Sequence, residues 1–294
     1  MRKDGFPPIL KFFNVQDLNA LDPILSAPLL RKVDEALIDL LRSLTPIEWD
    51  LQTVAPAWKV RDVAAHLLDT ALRKLSLVRD GNFVEAVEIR SPADLVALVN
   101  RLNREGVAVY RRLSPPILIE LMTTASNQVA DFHESLDPFA PAAFAVSWAG
   151  EDRSLNWFDT ARELTERWHH QQQIRLATNR PGLMTPELYH PVLDCFLRGL
   201  PHAFRDVAAP SGTIVQVDIS GDCGGRWTMI KNPLAWTLIR NLEVECKSRV
   251  TIPQALAWRL FTKGIDPDGI RPLIEIEGDP VLGENVLHLT AIVG

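Results

Sequence analysis

The sequence predicts an α-helical four-helix bundle followed by a small α+β domain. Three observations carry that expectation. Between about residue 23 and residue 205, apolar side chains recur at intervals of three and four, the period of a helix covering a core. After Gly212 the period falls to two, as in a strand with one buried face. Between the two textures, Ala208-Ala209-Pro210-Ser211-Gly212 has the composition of a linker. The division expected is an N-terminal extension over 1–22, the bundle over 23–205 and the α+β domain over 206–294. With 294 residues, 47% hydrophobic and 23% charged, the chain has the apolar content to fill a sizeable core.

The elements follow in order. From Pro23 to Leu44, the residues Leu30, Val33, Leu37, Leu40, Leu41 and Leu44 form one stripe, which predicts a first helix. Residues 60–78 predict a second, with Val60, Val63, Ala64, Leu67, Ala71, Leu75 and Val78 on its core face. A third opens at Ser91, whose hydroxyl suits a helix cap, with Pro92 in the first turn, and it stops at Ser114-Pro115-Pro116. Residues 117–136 make a fourth, and a fifth begins near Trp157. Thr185 and Pro186 start another, which runs to Phe204. Long helices joined by short links make a bundle. Beyond Gly212, the runs 212–220 and 226–230 flank a glycine-rich turn and predict a hairpin. A strand over 242–252, a helix over 253–264, a strand ending at Gly278 and a final helix over 279–293 complete the α+β domain.

Composition excludes several classes of function. The net charge of −6, without a block of lysine or arginine, lacks the footprint of a nucleic-acid binder. Cys195, Cys223 and Cys246 are odd in number and form no C-x-x-C pair, which points to reducing cytosol and a cytoplasmic protein. None of the three stands beside a recognisable base, so each reads as a small buried hydrophobe. The opening MRKDGFPPILKFF is interrupted by prolines and lacks a signal peptide's core. The longest charge-free stretch, Pro138 to Gly150, is too short to span a bilayer.

The chemistry concentrates in ELTERWHHQQQIR, residues 163–175. Glu166 and His170 are four apart, so on a helix they lie one above the other, and Gln173 continues that face. Trp157, Ala161, Leu164 and Trp168 form a separate apolar stripe. The pair is either a solvated salt bridge or half of a metal site. His66 lies beside the apolar stripe of the second helix and looks toward the bundle interior or its edge. It reads either as a boundary histidine or as a third ligand. His66, Glu166 and His170 together would give three N/O donors and leave a coordination position open, the arrangement of a catalytic rather than a structural metal site. Zinc is the first metal expected. Iron, nickel and manganese accept the same donors. Gln173 is either a substrate-binding amide or a solvated one.

The pieces WKVRDVAAHLLD (58–69), ELTERWHHQQQIR, LAWRLFT (256–262) and IEGDPVLGENVL (276–287) resemble the DinB-like metal-dependent bundle superfamily. The branch they resemble is that of mycothiol-dependent maleylpyruvate isomerase, in which a four-helix bundle precedes a domain similar to sterol carrier proteins. The resemblance implies that His66, Glu166 and His170 hold a divalent metal. His169 could also pair with Glu166, and the family spacing selects His170. It further implies a low-molecular-weight thiol such as mycothiol, which adds to an activated double bond, permits rotation and leaves. Lys59 departs from the family's usual Ser or Thr helix cap. Arg259 falls where the family pattern carries arginine. A guanidinium there would grip a substrate carboxylate, or would simply be a surface group on an amphipathic helix.

Three functions remain open from the sequence. The first is a metal-dependent isomerase or transferase acting on a small electrophile with a thiol. The second is a protein that binds an apolar ligand in the C-terminal domain, and the third is a non-catalytic bundle with or without metal. The partners expected are a small-molecule substrate and the thiol, without nucleic acid or membrane.

Overall fold

The computed structural model describes residues 21–83, 87–239 and 244–293. The expected extension over 1–22 lies outside the described residues apart from its last two. Packing divides the chain into two units. One collects residues 25–145 and 153–184, the other residues 146–152 and 185–292.

The first unit is helical. It comprises α1 (Ala27–Ser43), α2 (Val60–Lys74), α3 (Pro92–Tyr110), α4 (Pro115–Ser135) and α5 (Asn156–Ala177). Both α1 and α2 pack against α4 and α5, so these four close a ring, and α3 packs on α2. Leu37, Leu41, Leu68, Met122, Val129 and Ile174 from all four helices meet in one apolar cluster. The starts of the helices follow from local chemistry. The Ser91 hydroxyl accepts from the Asp94 amide at 3.2 Å. At α2, Lys59 offers no acceptor, but Asp62 accepts from the Lys59 amide at 3.0 Å, which restores half of a capping box. A single π-helical turn over Leu75–Arg79 ends α2. Gly106 lets α3 come close to α2, since a Cβ there would overlap the Asp69 carboxylate.

Of the two readings the sequence leaves open for the polar face of α5, the solvated one does not hold. Glu163, Arg167, His169, His170, Gln171, Gln172 and Gln173 are all buried. A polar side chain inside a bundle stands only if its hydrogen bonds are made there. Gln171 Nε2 donates to the Val33 carbonyl, Gln172 Nε2 to the Gly182 carbonyl, each at 2.8 Å, and Arg167 Nη1 grips both oxygens of Asp34 at 2.6 Å.

The second unit holds α6 (Pro186–Leu197) and α7 (Leu200–Ala203), then β1 (Ile214–Ser220), β2 (Gly225–Lys231), β3 (Trp236–Ile239) and β4 (Ser248–Pro253). After these come α8 (Gln254–Phe261), α9 (Pro267–Ile270), β5 (Glu275–Gly278) and α10 (Pro280–Val286). The sheet order is β3-β2-β1-β4-β5, with β1 and β4 parallel and the other neighbours antiparallel. Alternation puts Val215, Val217, Met229 and Val250 into one buried layer. Ile214, Ile230 and Ile239 form a separate cluster with Val244 and Cys246. Helices α6 and α7 pack in this unit, whereas the sequence division at 205/206 counts them with the bundle. Side chains on α6 explain the difference. The Tyr189 hydroxyl donates to the Gln254 carbonyl at 2.7 Å, Trp227 Nε1 donates to Asp194 at 2.7 Å, and Phe196 meets Phe261 edge-on. Among the described residues no helix is long and apolar enough to cross a membrane.

Candidate metal centre

Helices α2 and α5 carry the site, and both belong to the first unit. One ligand atom each from His66, Glu166 and His170 lies within 4.8 Å of the others. His170 Nε2 and Glu166 Oε2 are 3.5 Å apart. Two donors at about 2.1 Å from one tetrahedral ion stand about 3.4 Å apart, so this pair has ligand spacing. The imidazoles of His66 and His170 meet edge to face with centroids 4.6 Å apart, and the Trp58 indole lies 4.6 Å from His66 and 5.8 Å from His170. His66 and His170 are buried, while the Glu166 side chain is 29% exposed, so the carboxylate forms the open edge of the cluster.

Two observations test whether these residues fit a cation. His66 Nδ1 is buried and has no hydrogen-bond partner among the described residues. A buried nitrogen without a partner is costly unless something else engages it. His170 Nδ1–H donates to Gln173 Oε1 at 3.0 Å, which fixes the tautomer and leaves the lone pair of Nε2 toward Glu166. Two imidazoles and one carboxylate are donors a divalent ion of the zinc type takes. The residues fit.

The electrostatics agree. Burial, reinforced by the neighbouring His170, pushes the His66 pKa well below its ordinary value, so the ring is neutral. Burial alone would raise the Glu166 carboxyl. The polar surroundings supplied by His170, His169 and Arg162 outweigh it and hold the pKa at about 2, so the group is ionised. His169 is buried beside His170 with ring centroids 4.0 Å apart. Its Nδ1–H donates to the Thr165 carbonyl at 2.8 Å.

One turn along α5 lies a group the sequence reading misses. Lys74 Nζ stands 3.0 Å from Asp159 and 3.6 Å from Glu163, Arg162 binds Asp159 at 2.7 Å, and Arg167 joins Glu163 at 3.1 Å to Asp34 at 2.6 Å. No local spacing signals this in the sequence, because Asp34 and Lys74 lie 133 and 85 positions from their partners on α5. Of the other residues singled out there, Gln173 is buried against His170 rather than solvated. Arg259 lies on α8 in the second unit, half-buried, and its Nε has no hydrogen-bond partner among the described residues.

Comparison with known proteins supplies the lineage. The profile of the mycothiol maleylpyruvate isomerase N-terminal domain matches residues 30–175, which include all three clustered side chains and α1 to α5 almost entirely. The helical bundle belongs to this family. No curated protein matches the chain. Among solved structures, the crystal structure of a single-residue mutant of mycothiol-dependent maleylpyruvate isomerase superposes with a TM-score of 0.50. It is 13% identical and covers 81% of this chain and 88% of its own. A second crystal structure of that isomerase gives a TM-score of 0.47 at the same identity and coverage. At this identity the likeness is one of fold, a helical part followed by a small mixed sheet.

Proposed function

We propose that this protein is a metal-dependent enzyme that uses a low-molecular-weight thiol, such as mycothiol, to isomerise or conjugate a small electrophile. The observation that carries the reading is the convergence of His66, Glu166 and His170 inside a bundle of the mycothiol maleylpyruvate isomerase family. A divalent ion bound there, zinc first and nickel or iron next, supplies a Lewis acid that brings the pKa of a bound thiol toward neutrality. The chain needs no cysteine of its own for this, and Cys195 and Cys223 are buried.

The chain's own groups have distinct tasks. His66 and His170 offer imidazole nitrogens, and Glu166 contributes one negative charge. That charge leaves a divalent ion with an excess of positive charge, which favours an anion over a neutral molecule at the open position. Gln173 holds the His170 ring in its tautomer, and Trp58 covers both imidazoles and keeps water from their faces. Arg259 is the residue we assign to a substrate carboxylate in the second unit, on the strength of its unpartnered Nε. The α+β unit is read as a domain similar to sterol carrier proteins, and the free cysteines suit the cytoplasm.

The experiment is direct. Purified protein is analysed for bound metal and assayed for mycothiol-dependent isomerisation of maleylpyruvate and for thiol transfer to a panel of electrophiles. Metal near one equivalent with thiol-dependent turnover supports the proposal. Protein that takes up no divalent ion at micromolar concentration, or turns over nothing with any thiol, sinks it.

A further inference from the structure

Arg162 stands on α5 four residues before Glu166, so the two side chains share a face one helical turn, about 5.4 Å, apart. It belongs to the ion cluster of Asp34, Asp159 and Glu163 with Lys74, Arg162 and Arg167, in which acids and bases are equal in number. Its two fellow cations are closed in, since the side chains of Lys74 and Arg167 are 7% and 5% exposed. Arg162 is 21% exposed.

The guanidinium is held on one edge only. Nε and Nη2 both donate to Asp159 Oδ1, at 3.0 and 2.7 Å, and Lys74 secures the other oxygen of Asp159 at 3.0 Å. Nη2 also lies 3.5 Å from Glu163. Nη1 makes no hydrogen bond to any described residue. Guanidinium is a planar fork with five N–H donors, and the edge away from Asp159 keeps donors to spare for a second carboxylate. Because Asp159 is itself fixed by Lys74, the fork is oriented before anything binds, and little side-chain freedom is lost on binding.

We propose that Arg162 is a specificity-determining residue that receives a carboxylate of a short anionic substrate whose other end lies at the His66–Glu166–His170 cluster. The proposal rests on the thiol-enzyme reading only for the word substrate. The geometry itself calls for a small molecule with an acidic group within a few bonds of the end that reaches the cluster. A neutral electrophile of the same size would leave the open fork to water and gain nothing from it.

The test uses the full-length, zinc-loaded protein and isothermal titration with maleate, a short dicarboxylate, and with its dimethyl ester. Wild type should bind the diacid and discriminate against the ester. Arg162→Gln should weaken the diacid at least tenfold, leave the ester unchanged and keep the zinc content. Arg162→Lys should lose at least threefold, because an ammonium keeps the charge but lacks the fork. A diacid affinity that is the same in wild type and Arg162→Gln, or a wild type that fails to bind the diacid at millimolar concentration, overturns the inference. Should the glutamine variant fail to fold, the lysine variant decides, and an unchanged affinity there is equally fatal. If the diacid binds through Arg162 but no thiol-dependent turnover is found with any electrophile, the enzymatic reading fails while this assignment stands.

Discussion

His170 donates through Nδ1–H to the Gln173 amide oxygen at 3.0 Å, from three residues back on the same helix. Both side chains are buried, so the bond is sheltered from competing water. It decides which nitrogen of His170 carries the lone pair, and it aims that lone pair at the position shared with Glu166. Partners of this kind raise the basicity of a ligating imidazole, and their removal typically costs about 10–100-fold in metal affinity. Gln173→Leu should therefore weaken zinc binding by about that factor without removing any ligand. Competition against a chromophoric chelator measures it, and an affinity equal to wild type would mean that the bond has no bearing on the site.

Removal of a ligand should act differently from removal of a group elsewhere in the chain. His170→Ala takes away one of three donors and should lower bound zinc from near one equivalent to near zero after dialysis. Arg259→Ala should retain the metal and, if the side chain holds substrate, raise KM with little change in kcat, the pattern of lost ground-state binding. Metal analysis and steady-state kinetics on both variants separate the two effects. Full zinc occupancy in His170→Ala would refute the assigned ligand set.

The three converging side chains are legible as candidates because two of them lie four apart on one helix and the third flanks an apolar stripe, and the family resemblance selects His170 over His169. The environment of α5 is not. Its polar residues find partners far away in the chain, Arg167 on Asp34 and Asp159 on Lys74, and no local pattern reveals a bond between residues separated by 133 or 85 positions. A helix polar on most sides therefore stays open to a solvated reading, although the polar side chains of α5 are buried. The placement of α6 was hidden for another reason. An amphipathic stripe states that a helix packs, not on what, and only the contacts of Tyr189, Asp194 and Phe196 reveal the sheet unit as its partner. Strand β3 is four residues long, too short for alternation to stand out.

The buried ion cluster sets up a stability test. Arg167 is closed in by Asp34 and Glu163, and all three are buried. Replacing the whole triad by apolar groups costs little, but deleting one member strands the others. Arg167→Met should destabilise the protein by about 3–5 kcal/mol, the usual cost of leaving a buried charge uncompensated. Adding Asp34→Asn should recover part of that loss, since the stranded carboxylate is then neutral. Urea denaturation of the single and double variants reads both numbers. A single variant within about 1 kcal/mol of wild type would show that the cluster is not coupled to folding.

His133 gives the pH dependence a sign. It is buried on α4 with Nδ1 2.9 Å from the Thr160 hydroxyl, and burial lowers its pKa from 6.5 to about 4. Between those values the unfolded chain binds a proton that the folded protein refuses. Its contribution to stability is therefore complete above pH 6.5 and is lost as the pH falls toward 4, at most about 3 kcal/mol in all. His169, lowered by burial to about 3, acts in the same direction. Asp159 follows at lower pH. Burial opposes its ionisation, but Arg162 and Lys74 overcome this and hold it at about 2, so its share is lost between pH 3.8 and 2. Metal-free protein should thus lose stability steadily below pH 6.5, and His133→Phe should flatten the slope between pH 6.5 and 4 while leaving a residue of it from His169. Urea midpoints taken at half-unit intervals in chelator decide the matter. An identical slope in the variant would show that His133 is not held neutral in the folded state.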